Sequence, residues 1–392
     1  MFYSGDLFTV EMITSASKIK ILLISSVVPE ELSLGSSLTL KRHFDDVRLE
    51  WQVFSPTRNT LKSRLYRRLR RGRFREAMRI VESLSPPKHC KSEIDSIICQ
   101  YNPDVILSIA HGWDYLAAAQ AAKRWRIPLI IFCHDWWPDK AEVAHLARFW
   151  VARQLRSICR NSHSVLSVSE GMHRELGGLL NSQILYPISE KANNITRKQT
   201  GHKQFRVVYF GNLYEYGPMI ESAAEACLNS VNVRLEVFGP EPWWKPGMAA
   251  RFRDSGVYHG LIPRNEFFER IASYDASLVA MSFECQMERR MKTSFPSKLV
   301  EMAQLNKPLV IWGPEYCSAV QWARKRKAAL CITDPSPEAI LHALESLAAS
   351  RSEQDRLTLA AGDAAANDFN PDFIQEKFIS ILEKARIDRQ KS

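Results

Sequence analysis

The chain has 392 residues, 45% hydrophobic and 24% charged, with a formal net charge of +10. These are globular values and enough length for two cores, which excludes a disordered, fibrous or single small module. No run approaches the roughly 18–20 apolar residues of a membrane span, and none of the eight cysteines share a C-x-x-C spacing, which points to reduced thiols rather than disulfides or zinc.

Apolar runs alternate with amphipathic stretches. Met1 to Ser17 carries two acids and no base, which does not suit a signal peptide. Strands are expected at 18–26, 49–54, 104–110, 129–133, 164–168 and 183–186. Helices are expected at 35–44, 60–84, 92–100, 115–125, 141–159 and 171–179. The strands are continuous Ile/Val/Leu runs, as in a parallel sheet covered on both faces. A polar stretch, 189–204, reads as a linker. Strands then recur at 205–210, 233–238, 257–258, 276–281, 308–312 and 329–332. The intervening helices are expected at 219–228, 264–273, 296–305, 315–325, 337–349 and 353–368. A last amphipathic helix starts at Asp372. The expected fold class is therefore α/β, with two Rossmann-like doubly wound domains facing a cleft and the C-terminal helix packing back on the first. The expected division is 1–188 for the first Rossmann-like domain, 189–204 for the linker, 205–370 for the second and 371–392 for the helix.

The most informative segment runs from Val257 to Gly313. A strand ending at Gly260 leads to a helix, and a second strand ends near Ser282. A loop then enters a helix through Pro296-Ser297-Lys298-Leu299-Val300-Glu301. Pro296 suits a helix start, where a missing N–H costs nothing. Ser294, Ser297 and Lys298 cluster there, where free amides and the helix dipole favour an anion. Glu301, one turn in, can accept hydrogen bonds from a ribose diol.

This pattern resembles nucleotide-sugar glycosyltransferases of the GT-B fold, family 4 (group 1). The P-S-K-L-x-E string matches a variant of the family's motif. The resemblance implies a donor site at Ser294, Ser297, Lys298, Leu299 and Glu301, with Gly211 and Asn212 after the strand ending at Phe210, and Arg264 after Gly260. Two departures stand out. The family's first glutamate is Thr293 here, and its two basic positions after Gly211 are Asn212 and Tyr216. In the first half, the resemblance places a cleft loop at Gly35 and Ser36. It also puts a sugar-reaching histidine at His134, after strand 129–133. Asp135 can orient that imidazole or touch an acceptor hydroxyl, and Trp136 and Trp137 offer flat faces. His111 and Glu170 occupy comparable strand ends.

Nine bases and one acid lie between Lys62 and Arg79. Arg67, Arg68, Arg70, Arg71, Arg73 and Arg75, mixed with leucines, suit an anionic membrane surface. A nucleic-acid partner is not expected, since no stacking platform interleaves the arginines. With no D-x-D pair, no metal and no other cofactor are expected.

The function expected is transfer of a sugar from a nucleotide-sugar donor to a glycan or lipid-linked acceptor, as in cell-surface polysaccharide or glycolipid synthesis. The resemblance implies retention of configuration and a cytoplasmic protein peripheral to the inner membrane face. Two rivals stand beside it: a nucleotide-sugar epimerase on the same fold, and a non-catalytic glycosyltransferase-like subunit, which the departures at Thr293, Asn212 and Tyr216 favour.

Overall fold

The computed structural model describes residues 17–30, 36–55, 80, 91–140, 143–190, 203–263 and 266–391. Six parallel strands form the first sheet: β1 (Ile19–Ile24), β2 (Leu49–Phe54), β3 (Val105–Ile109), β4 (Leu129–Cys133), β5 (Ser164–Ser167) and β6 (Ser182–Ile184), in the order β2-β1-β3-β4-β5-β6. Every residue of β3, β4 and β5 is buried, because both faces are covered by α1 (Ser36–Phe44), α2 (Lys91–Tyr101), α3 (Asp114–Trp125), α4 (Arg148–Asn161) and α5 (Glu170–Glu175).

The second sheet has β7 (Phe205–Phe210), β8 (Val233–Phe238), β9 (Ala276–Ala280), β10 (Leu309–Trp312) and β11 (Leu330–Ile332), parallel in the order β11-β10-β9-β7-β8. Its helices are α6 (Gly217–Cys227), α7 (Met248–Asp254), α8 (Phe267–Ile271), α9 (Glu288–Thr293), α10 (Ser297–Ala303), α11 (Ser318–Arg326), α12 (Pro337–Ala349) and α13 (Arg351–Ala366). In both sheets the order reverses at the first strand, so each has a switch point at the carboxyl ends of β1/β3 and β7/β9. Such crevices bind ligands in open α/β sheets.

The last helix, α14 (Pro371–Lys391), returns to the first sheet. Its Gln375 accepts from His43 Nδ1 at 2.9 Å and donates to the His43 carbonyl at 3.0 Å. Glu376 pairs with Arg48, and Asp388 lies 2.9 Å from His163 Nε2. Phe378 and Leu382 are fully buried on this seam.

Several expected elements differ. Val257–Tyr258 makes only one bridge, from Tyr258 to Val237, because the chain leaves the sheet edge at Gly260 with φ +72°. The 141–159 helix resolves into a 3-10 turn, His145–Ala147, followed by α4. Pro296 is the cap before α10 rather than its first residue, with an extended ψ of 116°. Helices α7 and α9 were not expected. Of the 60–84 helix only residue 80 is described; Gly35, Arg264 and the six arginines from Arg67 to Arg75 lie outside the described residues. No described helix is long and apolar enough to cross a membrane.

Candidate functional site

The carboxyl ends of the two sheets meet across a cleft. On the second-domain side, α10 carries Glu301 beneath the end of β7. The Glu301 carboxylate is buried: Oε2 accepts from Lys298 Nζ at 2.9 Å and Oε1 from Arg42 Nη2 at 3.0 Å. Burial alone would raise its pKa, yet Lys298 and Arg42 hold it below the ordinary carboxylate value. Arg42 comes from α1 of the first domain and also donates to the Ile188 carbonyl at 2.6 Å. The Lys298 ammonium lies 4.1 Å from the Phe210 ring centroid, which fixes it at the carboxyl end of β7.

Sequence reasoning placed Glu301 and Lys298 together but missed Arg42, since no local signal links positions 259 residues apart. Both Glu301 oxygens are already engaged, so a ribose diol must share or displace these cations. Ser297 is half-buried at the start of α10. Leu299 is not at the cleft: its side chain is fully buried and its amide donates to the Pro296 carbonyl at 3.0 Å.

The loop after β7 turns on Asn212, whose Oδ1 accepts from the Tyr214 amide at 2.7 Å. Asn212 therefore builds the turn. Gly211 precedes it, and a Cβ there would stand 3.1 Å from the Tyr209 hydroxyl. Tyr216 is pushed up to about 12 by burial, so it stays neutral. The nearest cation described beside this loop comes from α9. Arg290 of α9 donates to Glu215 Oε1 at 2.6 Å and lies 4.0 Å from Asp135. Burial works to lower its pKa, but Glu215 and Asp135 raise it. The available signal was the Arg289-Arg290 pair just upstream of Pro296.

On the first-domain side, Ser294 Oγ donates to Asp135 Oδ1 at 2.6 Å, joining the loop after β4 to the entry of α10. Lys140 donates to Asp135 Oδ2 at 3.0 Å. Burial opposes ionisation of Asp135, yet Lys140, Arg290 and Ser294 hold it well below the ordinary carboxylate range. Asp135 makes no hydrogen bond to His134 among the described residues; it spans the cleft instead of orienting the imidazole.

His134 stacks against Phe132 with ring centroids 4.0 Å apart. Its buried Nε2 has no partner, and burial lowers its pKa to about 4. It is a neutral imidazole at pH 7. Trp136 and Trp137 are 2% exposed and belong to the core, not to a sugar platform. Trp136 packs under the Arg156 guanidinium at 5.0 Å. His111 stands 6.3 Å from the Trp137 ring. Ser36 opens α1.

Helix α9 wedges the domains together. Its Thr293 is fully buried, and the Thr293 carbonyl accepts from Ser169 Oγ at 2.5 Å. Arg289 reaches Asp139 at 3.1 Å, and Lys325 of α11 reaches Glu170 at 2.5 Å, so Glu170 is an interdomain ion-pair partner. Beside α9 an interdomain cavity of about 640 Å³ opens, lined by Arg148, Phe149, Arg156, Glu175, Arg289 and Lys292 among others. Sequence reasoning did not find it, because its walls come from three distant segments. Among the described residues no group of three or more His, Cys, Asp or Glu could hold a metal ion.

Residues 37–183 match the model of Glycosyltransferase Family 4. This match covers the first domain, whereas the Pro296–Glu301 string lies beyond it. The solved structure of HepE from Anabaena, in complex with UDP and glucose, superposes with a TM-score of 0.61 over 93% of this chain and 100% of that one, at 13% identity. The chain has the GT-B fold, and its first domain is similar to glycosyltransferase family 4. Sucrose-phosphate synthase from Thermosynechococcus elongatus matches the chain with a TM-score of 0.63, covering 94% of this chain and 99% of that one at 11% identity. A trehalose-6-phosphate synthase described as transferring with retention matches at 0.58, covering 93% and 99% at 12% identity. At such identities the likeness to these structures establishes the shared fold. No curated protein matches the chain in sequence.

Proposed function

We propose that the protein transfers a sugar, with retention, from a nucleoside diphosphate donor to a glycan or lipid-linked acceptor. The observation that carries this reading is the Lys298–Glu301 pair, 2.9 Å apart at the carboxyl end of β7, where the second sheet has its switch point. The diphosphate lies against Lys298, Ser297 and Ser294, and the ribose against Glu301. Gly211 and the Asn212 turn close the pocket from above. Arg290 takes the electrostatic share that basic residues at positions 212 and 216 would have. As the bond to the leaving phosphate lengthens, these cations stabilise its growing negative charge, while positive charge builds on the sugar ring. Neutral His134 offers its free Nε2 to a sugar hydroxyl from the opposite wall.

Two facts about relatives support the reading: HepE was solved with UDP and glucose, and the trehalose-6-phosphate synthase transfers with retention. UDP is therefore the first nucleotide to test. The acceptor approaches through the cavity beside α9. In this reading the protein neutralises the leaving group with its own cations, and the enzyme works from the cytoplasmic side of a membrane. The domains divide as 1–188, 205–370 and 371–392.

A non-catalytic role has one observation in its favour, the engagement of Glu301 by Arg42 across the cleft. A thermal-shift screen against nucleoside diphosphates and their sugars separates the two, because a ligand that binds only the native state raises its melting temperature. One nucleotide class is expected to stabilise the wild type. The shift disappears in Glu301→Ala and shrinks about tenfold in apparent affinity in Lys298→Ala, the loss of one charge-assisted contact. No shift with any nucleotide refutes donor binding. Binding without release of nucleoside diphosphate favours the non-catalytic subunit.

A further inference from the structure

Helix α4 buries Val151, Ala152, Leu155 and Cys159 against the first sheet. Its other face is unusual. Phe149 and Trp150 in its first turn, and Leu146 in the 3-10 turn that leads into it, are 64%, 56% and 75% exposed. The Phe149 and Trp150 rings touch edge to face, with centroids 5.4 Å apart. Arg153 and Arg160 continue the same face, both exposed and without an ion-pair partner among the described residues. The helix contains four arginines and no acid. Exposed apolar patches of this kind mark interaction surfaces. One that adds uncompensated arginines to an aromatic pair has the makeup of an interfacial helix on anionic lipid, with rings at the headgroup level and guanidiniums on phosphates.

The patch is also continuous with the cleft. Phe149 and Arg148 both line the interdomain cavity beside α9. Arg148 Nε is buried without a partner, while Arg156, Arg289 and Lys292 are each paired with an acid.

We propose that the Phe149–Trp150 face of α4, with Leu146 of the 3-10 turn before it, docks on an anionic membrane surface and so presents the cavity to a membrane-borne acceptor. The proposal rests on the transferase reading above and names the source of its acceptor. Arg148 stands where the charged head of such an acceptor would enter.

Co-sedimentation of the full chain with phosphatidylglycerol–phosphatidylcholine vesicles, and with pure phosphatidylcholine, tests it. The wild type is expected to bind the anionic vesicles and to release in high salt. Phe149→Ser/Trp150→Ser should weaken binding at least tenfold, and Arg153→Ser about fivefold, the equivalent of one surface arginine. The nucleotide thermal shift must stay unchanged in both, which separates this test from the donor-site test. The docking role is overturned if vesicle binding persists in Phe149→Ser/Trp150→Ser and is lost only when Arg67, Arg68, Arg70, Arg71, Arg73 and Arg75 become Ser. It is equally overturned if sedimentation velocity shows a dimer that Phe149→Ser/Trp150→Ser converts to monomer, which would make the face a contact between two copies.

Discussion

Histidine 43 shows how the seam between α1 and α14 reports itself in solution. It is fully buried, its Nδ1 donates to Gln375, and burial lowers its pKa to about 4 from 6.5. The unfolded chain therefore binds a proton between pH 6.5 and pH 4 that the native state does not, so stability is full above pH 6.5 and is lost as pH falls through that window. His43 alone accounts for on the order of 2 kcal/mol between pH 7.5 and pH 5, and His134 acts in the same direction. Urea midpoints measured from pH 7.5 to 5 should fall, and the fall should be shallower in His43→Gln. An unchanged slope would mean that the His43 ring is hydrated and charged. The site is legible in sequence at the same scale only in part. Lys298 and Glu301 stand out because they are one helical turn apart. Arg42 and Arg290 do not, because their roles come from tertiary approach, and no spacing records that. Leu299 belongs to the motif string but points to the core, as one residue in every short amphipathic helix must.

The elements most readable in sequence were the central strands. Runs such as Leu129–Cys133 and Phe205–Phe210 have the same bounds in the structure as in the reading, because consecutive positions buried on both faces, all of 129–133 and the centre 207–209, are filled by apolar residues. Helix α9 was unreadable because its sequence, ERRMKT, has a single apolar anchor, Met291. It is held by contact rather than propensity. Gly171 of α5 makes that contact possible: a Cβ there would meet the Lys292 carbonyl oxygen at 1.7 Å. Gly171→Ala must push α5 and α9 apart, at a cost of about 1–3 kcal/mol. A lower urea midpoint together with retained nucleotide binding is expected, since the proposed contacts of Ser297, Lys298 and Glu301 are made from α10 rather than from α5 or α9. A midpoint equal to wild type would show that the two helices do not pack this closely in solution.

Over the whole molecule, one apolar cluster runs from the first sheet into the second domain, with Tyr186 against Phe295 at 4.8 Å, and polar contacts bridge the cleft beside it. Arg42–Glu301, Asp135–Ser294, Arg289–Asp139 and Lys325–Glu170 all bridge it, and α14 straps the second domain to the first. Alternating strands and helices announced the two domains and the returning helix. They did not announce the closed arrangement, which depends on pairs far apart in the chain. On the proposed function, the donor enters where these bridges open, beside Glu301. Hydrogen–deuterium exchange with and without the nucleoside diphosphate found in the thermal screen measures this directly. Protection is expected at 211–217 and 294–303, accompanied by changed exchange in α1 around Arg42. Protection confined to the cavity lined by Arg148 and Arg156, or absent from 294–303, would contradict a donor seated on Lys298 and Glu301.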